Sequence, residues 1–398
     1  VPVVTVDVTY DVGSRVEPPG KTGLAHLFEH LMFEGSLNVP KGGHFDLVSE
    51  AGGVLNGTTS EDRTNYFETL PASRLDLALY LEADRMHGLA LSQEKLDNQR
   101  EAVKEEKRLR IDNQPYGTSY EAADALAYDS FAYKHPVIGS MEDLDHTTVD
   151  DLANFFSRFY APANAVLCIA GDIEPAAAFA AAEKHFGKIP FREPAAPFEV
   201  WEPPQRGERR QVIEDSFANL PALQILFKAP PRRTREFFAL LYAEKILMGG
   251  ESGRLWRTLV KNSETALTVA ASADERRGPC LFRIFAVGRS DVSLATLEKT
   301  IWQELESLAS SGPSDREMSR ARRMLASDMI RGTQTTQALA FLISEYALFD
   351  RDASLWKPDF ESILEMTPEE VTHCIRLVFT RDRSSCLHVL PAPSRAAA

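Results

Sequence analysis

The sequence is poor in cysteine and in basic charge, and it has no long apolar run. Its four cysteines in 398 residues are Cys168, Cys280, Cys374 and Cys386. None forms a C-x-x-C pair, and each has apolar neighbours, as in Val166-Leu167-Cys168-Ile169. That spacing argues against a thiolate metal site and points to buried thiols, with a single disulfide as the alternative. Lys and Arg number 44 against 58 Asp and Glu, a formal net charge of -14. No concentrated basic surface is available for phosphate backbones, so nucleic acid is excluded as a partner. No run approaches the roughly 18 apolar residues of a membrane span. The chain opens at Val1 with no basic-plus-apolar leader, and it reads as a trimmed chain whose address label is missing, which leaves the compartment open.

What is present is an ordinary globular composition, 44% hydrophobic and 26% charged. A length near 400 residues predicts two or three domains with separate cores. Val4, Val6, Val8 and Tyr10 alternate as one face of a strand, and a Gly/Pro loop follows from Gly13 to Gly23. Leu24–Phe33 reads as an apolar helix, Val54–Leu70 as extended chain, and Leu75–His87 and Ser92–Ile111 as helices. Thr148-x-x-Asp151 is a capping-box variant that opens a helix to Phe159, ahead of a strand over Ala165–Ala170. Five prolines between Gly187 and Gly207 mark a linker. The second half repeats the first: Thr367-Pro-Glu-Glu-Val matches Thr148-Val-Asp-Asp-Leu, and Leu247-Met248 with Ser252 match Leu31-Met32 with Ser36 at one offset. The expected fold class is therefore α+β. It comprises two similar duplicated domains, each a mixed or antiparallel sheet packed with helices: 1–190, a linker at 191–207, and 208–398.

The chemistry concentrates in His26-Leu27-Phe28-Glu29-His30. Residues three and four apart share a helical face, so His26, Glu29 and His30 project together. Two imidazoles one turn apart can grip a zinc ion, and Glu29 is placed to take a proton from water on that metal. The alternative is a solvated helix face. The apolar flanks Leu24, Ala25, Leu27, Phe28, Leu31, Met32 and Phe33 argue against it, because a buried His-Glu-His cluster without an ion is costly. A third ligand is sought on Ser92–Ile111. At about 100° per residue Glu94, Glu101 and Glu105 fall on the wet side, whereas Glu106 borders the stripe of Leu96, Gln99, Val103 and Arg110.

His26-x-x-Glu29-His30 is the inverted zinc motif of the pitrilysin/insulinase metallopeptidases, and the chain resembles that family. The resemblance includes Gly20-Lys21-Thr22-Gly23-Leu24-Ala25, Asn56-Gly57-Thr58-Thr59, Asn98-Gln99-Arg100, Tyr116-Gly117 and Arg158-Phe-Tyr-Ala-Pro162-Ala-Asn164. It implies zinc held by His26, His30 and Glu106, Glu29 as general base, and hydrolysis of peptide bonds. Many relatives carry a supporting Glu where this chain has Gln99. The resemblance also implies peptide binding by strand addition, for which Asn56, Gly57 and Thr58 are the candidates. In self-sufficient relatives an Arg and, seven residues on, a Tyr hold the substrate; here Val260 and Leu267 take those places and cannot donate hydrogen bonds. The implied partner is a homologous subunit carrying the Arg/Tyr pair, in a heterodimer enclosing a chamber, with Arg254 and Lys261 as fallback donors. His26, Glu29 and His30 align with Tyr242, Lys245 and Ile246, so no second zinc site is expected. A periplasmic or mitochondrial setting would suit such a subunit. The other reading is a non-catalytic peptide-binding or scaffold subunit of the same fold. Gly249-Gly250-Glu251-Ser252-Gly253 fits neither G-x-S-x-G nor a P-loop and reads as a helix-ending turn. Arg232, Arg233 and Arg235 read as a solvated loop, and the other seven histidines as structural.

Overall fold

The computed structural model describes Pro2–Ala392. In the first half, β1 (Val3–Tyr10), β2 (Val54–Thr59), β3 (Thr64–Pro71) and β4 (Ala165–Gly171) form one sheet in the order β2-β3-β1-β4. Every pairing in it is antiparallel. The extended stretch read from sequence is a hairpin, broken where Ser60 N–H bonds to Arg63 C=O at 2.9 Å. In the second half, β5 (Arg209–Asp215), β6 (Ala222–Ala229), β7 (Ala266–Asp274), β8 (Cys280–Gly288) and β9 (Ser384–Pro391) are ordered β5-β9-β6-β8-β7. Only β5 and β9 run parallel.

The duplication is visible in this order. Each sheet has a hairpin at one edge, then β1 or β6, then the last strand of its half, and the second sheet adds β5 beyond β9. Each last strand follows a helix with a capping box, Thr148 with Asp151 in one half and Thr367 with Glu370 in the other. In both, the hydroxyl takes a first-turn N–H that the helix itself cannot satisfy. The fold is α+β in two similar halves, as expected.

The chain forms two compact units, and neither is continuous in sequence. One runs to Glu106 and adds His135–Phe198 and Ile330–Trp356; the other holds Lys107–Lys134, Glu199–Met329 and the chain from Lys357. Residues 190–206, where the linker was expected, carry neither helix nor strand. The halves therefore trade one helical segment each, which boundaries at 190 and 208 do not convey.

Burial supplies the reason. Val4 and Val6 pack with Leu75, Ala78 and Leu79. The opposite face of β1 carries Thr5, Asp7 and Thr9, which alternation assigns to solvent, yet they are only 0–2% exposed. The helix Thr336–Asp350 covers them: Thr5 Oγ1 lies 2.8 Å from Thr336 Oγ1, and Ala340 packs on Cys168 and Ala170. Asp7 is satisfied there by Thr9 Oγ1 and Asn65 Nδ2, both at 2.7 Å, while burial raises its pKa. In the second unit the helix Gly117–Ala127 brings Ala123 and Ala127 against Ala222, Leu226, Leu387 and Val389. The other face of that sheet packs on a large core that includes Phe227, Phe237, Ile301 and Trp302.

All four cysteines are free and buried, which rules out the disulfide alternative. Desolvation pushes the thiols up to about 11 in Cys168 and Cys280 and about 12 in Cys374 and Cys386, so they are unreactive. Among the described residues, no helix is long and apolar enough to cross a membrane.

Candidate active site

The motif helix spans Leu24–Leu31, and its start is tightly specified. Gly23 sits at φ +84°, and a Cβ there would fall 2.6 Å from Ile138 O, so only glycine fits. The Glu17 carboxylate accepts from Gly23 N–H at 2.9 Å and Ala25 N–H at 2.7 Å, with His135 Nε2 3.1 Å away. A buried carboxylate thus serves the orphan donors and the positive end of the helix. Its pKa is raised by burial and held back by His135 and the two N–H groups. Leu24, Ala25, Leu27, Phe28 and Leu31 point into the core, and the Phe28 ring packs 4.5 Å from Tyr160 and 5.5 Å from Phe155.

That packing leaves His26, Glu29 and His30 on the partly open side. The helix Gln93–Lys107 delivers Glu106 to them, with Leu96 and Val103 fully buried and Glu94, Glu101 and Glu105 exposed. Glu106 Oε2 lies 3.7 Å from His26 Nε2 and 3.3 Å from His30 Nε2. Arg110, placed on the same stripe by ideal periodicity, is exposed instead. The turn over Arg108–Asp112 is π-helical, and the extra residue per turn rotates the face. Helix Gln93–Lys107 is anchored by Arg100, which donates to Leu144 O and Thr147 O at 2.8 Å each.

Gln99 has a role that sequence reasoning left in doubt. His30 Nδ1 bonds Gln99 Oε1 at 3.3 Å, and Gln99 Nε2 donates to Glu34 Oε1 at 2.9 Å. Glu34 in turn pairs with Lys41 at 2.7 Å. With the Nδ1 proton committed to the amide, His30 Nε2 presents its lone pair toward Glu106. The Gln99 amide thus links the His30 ring to the Glu34 carboxylate.

Glu29 is held separately. Thr59 Oγ1 donates to Glu29 Oε2 at 2.5 Å. Burial raises the Glu29 pKa, opposed by that hydrogen bond and by His30. Gly57 backs the same side chain: a Cβ on it would meet Glu29 Cγ at 3.0 Å and Tyr66 Cδ1 at 3.2 Å. Thr59 was missed from sequence, although a two-residue step from Gly57 puts it on the same strand face. Asn56 and Thr58 point to the opposite face, where Thr58 Oγ1 donates to Asn65 Oδ1 at 2.5 Å. Strand β2 pairs only with β3 and so presents a sheet edge. Behind the hairpin, the buried Arg85 stacks 4.4 Å over Tyr66 and 5.2 Å over Phe33 and is paired with Glu82.

The insulinase family model (peptidase family M16) matches residues 1–138, and the model described as the peptidase M16 inactive domain matches 146–325. The zinc protease PqqE of Helicobacter pylori is 32% identical over 347 residues, 86% of this chain and 78% of that protein. The chain belongs to peptidase family M16. Another relative of this M16 chain, from Arabidopsis thaliana, is named a probable mitochondrial-processing peptidase subunit beta. It is 24% identical over 84% of this chain and 64% of its own length. Among solved structures, a protease from Helicobacter pylori superposes with a TM-score of 0.93 at 29% identity, covering 98% of this chain and 95% of that one.

In the second half of the M16 chain, the helix Arg235–Met248 carries the residues aligned with the motif. Tyr242 is buried with its hydroxyl on Ile363 O at 2.8 Å, Ile246 is buried, and Lys245 pairs with Glu244 and Asp328. A second grouping of Glu298, Cys386 and His388 is already answered by Arg210, which pairs with Glu298. Val260 is half-buried and Leu267 is 58% exposed on β7. Of the fallback donors, Arg254 is taken by a two-pronged pair with Glu317 at 2.7 and 2.8 Å. The arginines expected in a solvated loop are also paired: Arg232 with Glu275, Arg233 with Asp359 and Arg235 with Glu370.

The Glu17 cap generates a stability prediction. Glu17→Ala leaves two buried N–H groups without acceptors and should cost on the order of 2 kcal/mol or more, read as a lower urea midpoint at unchanged slope. An unchanged midpoint would show that the cap does not hold the helix.

Proposed function

We propose that this chain is a zinc endopeptidase subunit acting on peptides or unfolded segments, with His26, His30 and Glu106 as metal ligands and Glu29 as general base. One observation carries the reading. Ligand atoms of His26, His30 and Glu106 lie within 4.8 Å of one another, and two imidazole nitrogens with one carboxylate oxygen suit a catalytic zinc that keeps an open position. The names of its relatives support zinc and proteolysis.

When bound, zinc supplies Lewis acidity toward the scissile carbonyl and acidifies the attacking water. Glu29 takes the proton released as the water oxygen bonds to the carbonyl carbon. It then passes that proton to the amide nitrogen as the C–N bond breaks. Burial favours a carboxylate able to hold the proton between the two steps, and Thr59 keeps one oxygen fixed while the other stays available. The open edge of β2 is suited to aligning an extended peptide by main-chain hydrogen bonds, with the Gly57 backbone beside Glu29 and only Asn56 of the three candidates exposed. Val260 and Leu267 offer no donors, so an Arg/Tyr pair from a homologous partner completes substrate binding in this reading.

Glu29→Gln should keep about one zinc per chain and lose at least about a thousandfold in kcat, measured on a quenched peptide with and without the copurified partner. Retained activity would contradict the base assignment, and full activity of the single chain would contradict the need for a partner. Gln99→Ala should weaken zinc binding by about 10- to 100-fold in competition with a chelating dye, while Gln99→Glu restores it. Equal affinities in all three proteins would remove Gln99 from the site.

A further inference from the structure

A cavity of about 470 Å³ in the second unit is lined by Arg254, Arg257, Lys261, Arg316 and Arg320, with Glu251, Glu317, Ser252 and Ser314. Five cations against two carboxylates is an unusual local excess in a chain of net charge -14. Glu317 is engaged by Arg254 and by Ser314, whose N–H and hydroxyl reach it at 2.8 and 2.9 Å, and it offsets the excess only in part. Arg257, Lys261 and Arg316 make no ion pair among the described residues.

Arg320 is the built element. It donates to Ser252 O at 2.9 Å and Ile246 O at 3.4 Å, so its guanidinium is held in place by carbonyls rather than by a carboxylate. Its Nε is buried and has no hydrogen-bond partner. Desolvation depresses its pKa, with Glu317 opposing the shift and the nearby Arg257, Arg316 and Arg254 adding to it. Such crowding costs stability in the free chain and is relieved when an anion enters.

The lining residues are all polar or charged. Guanidinium forks match phosphate geometry, and several can share one multiply charged anion. We infer that this cavity binds a compact oligophosphate, bridged by Arg257, Lys261, Arg316 and Arg320. The Gly249–Gly253 turn, which fits no P-loop pattern, contributes Ser252 to the lining and, through the Ser252 carbonyl, orients Arg320, while Glu251 lies on the same lining as an opposing charge. This inference stands apart from the peptidase reading, since none of its residues is a metal ligand or Glu29.

Titration calorimetry of inorganic tripolyphosphate into the full zinc-loaded chain at about 0.15 M salt tests it. One ligand should bind per chain. The triple variant R257A/K261A/R316A, whose side chains are exposed, should weaken binding by at least about tenfold, as should Arg320→Gln. The zinc site is unchanged in these variants, so loss of binding cannot come from chelation, and Arg74→Ala in the first unit should bind like the parent. Absence of saturable binding, or equal binding by the cavity variants, would overturn the proposal. Citrate binding more tightly than tripolyphosphate would overturn the phosphate assignment.

Discussion

The candidate site of the first unit depends on the close approach of three ligand-type side chains. Two imidazoles one helical turn apart and a carboxylate from a second helix bring their ligand atoms within 4.8 Å of one another. Two ring nitrogens and a carboxylate oxygen so grouped are suited to sharing a cation. The surrounding structure maintains the grouping on every side. Glu17 fixes the start of the motif helix, Phe28 locks its apolar face against Tyr160, and Arg100 pins the helix that brings Glu106. Gln99 sets the His30 ring through an amide whose far end is held by Glu34 and Lys41. Thr59 and Gly57 then position Glu29 from a separate element. His26, Glu29 and His30 thus share one helix, while separate elements hold the Glu29 and His30 side chains.

The second half keeps the scaffold without the chemistry. Its β7–β8 hairpin, β6 and last strand β9 repeat the order of the first sheet, with β5 added beyond β9, and its capping box falls at the equivalent helix. Where the first half has ligands, it has a buried tyrosine hydroxyl and a buried isoleucine. The two halves thus share a backbone pattern fixed by packing and capping, with different side chains at the positions aligned with the motif. The cationic cavity around Arg320 lies in the second unit.

Much of this was legible in the sequence because it rests on local rules. The five-residue motif reads directly from helical spacing, Glu106 follows from a face argument, and both capping boxes show in their Thr-x-x-acid spacing. What was not legible depends on distant pairing. Thr5, Asp7 and Thr9 look solvent-facing by alternation, and nothing local announces that a helix beginning at Thr336 buries them. Val54–Leu70 was read as extended chain with Asn56, Gly57 and Thr58 as candidates, whereas the pleat puts Gly57 and Thr59 beside Glu29 and turns Asn56 and Thr58 to the other face. Arg110 left its stripe because a π-turn changes the angular step, an irregularity without a sequence signature. Gln99 showed as a departure from relatives, yet its function depends on Glu34, which periodicity does not bring to it.

The central claim is the ligand set, and X-ray absorption at the zinc edge of the metal-loaded chain tests it most directly. The account predicts a low-coordinate shell of two imidazole nitrogens and one or two oxygens, all at about 2.0–2.2 Å, with one imidazole lost in His30→Ala. A spectrum with sulfur scattering near 2.3 Å, or one unchanged by that substitution, would contradict it.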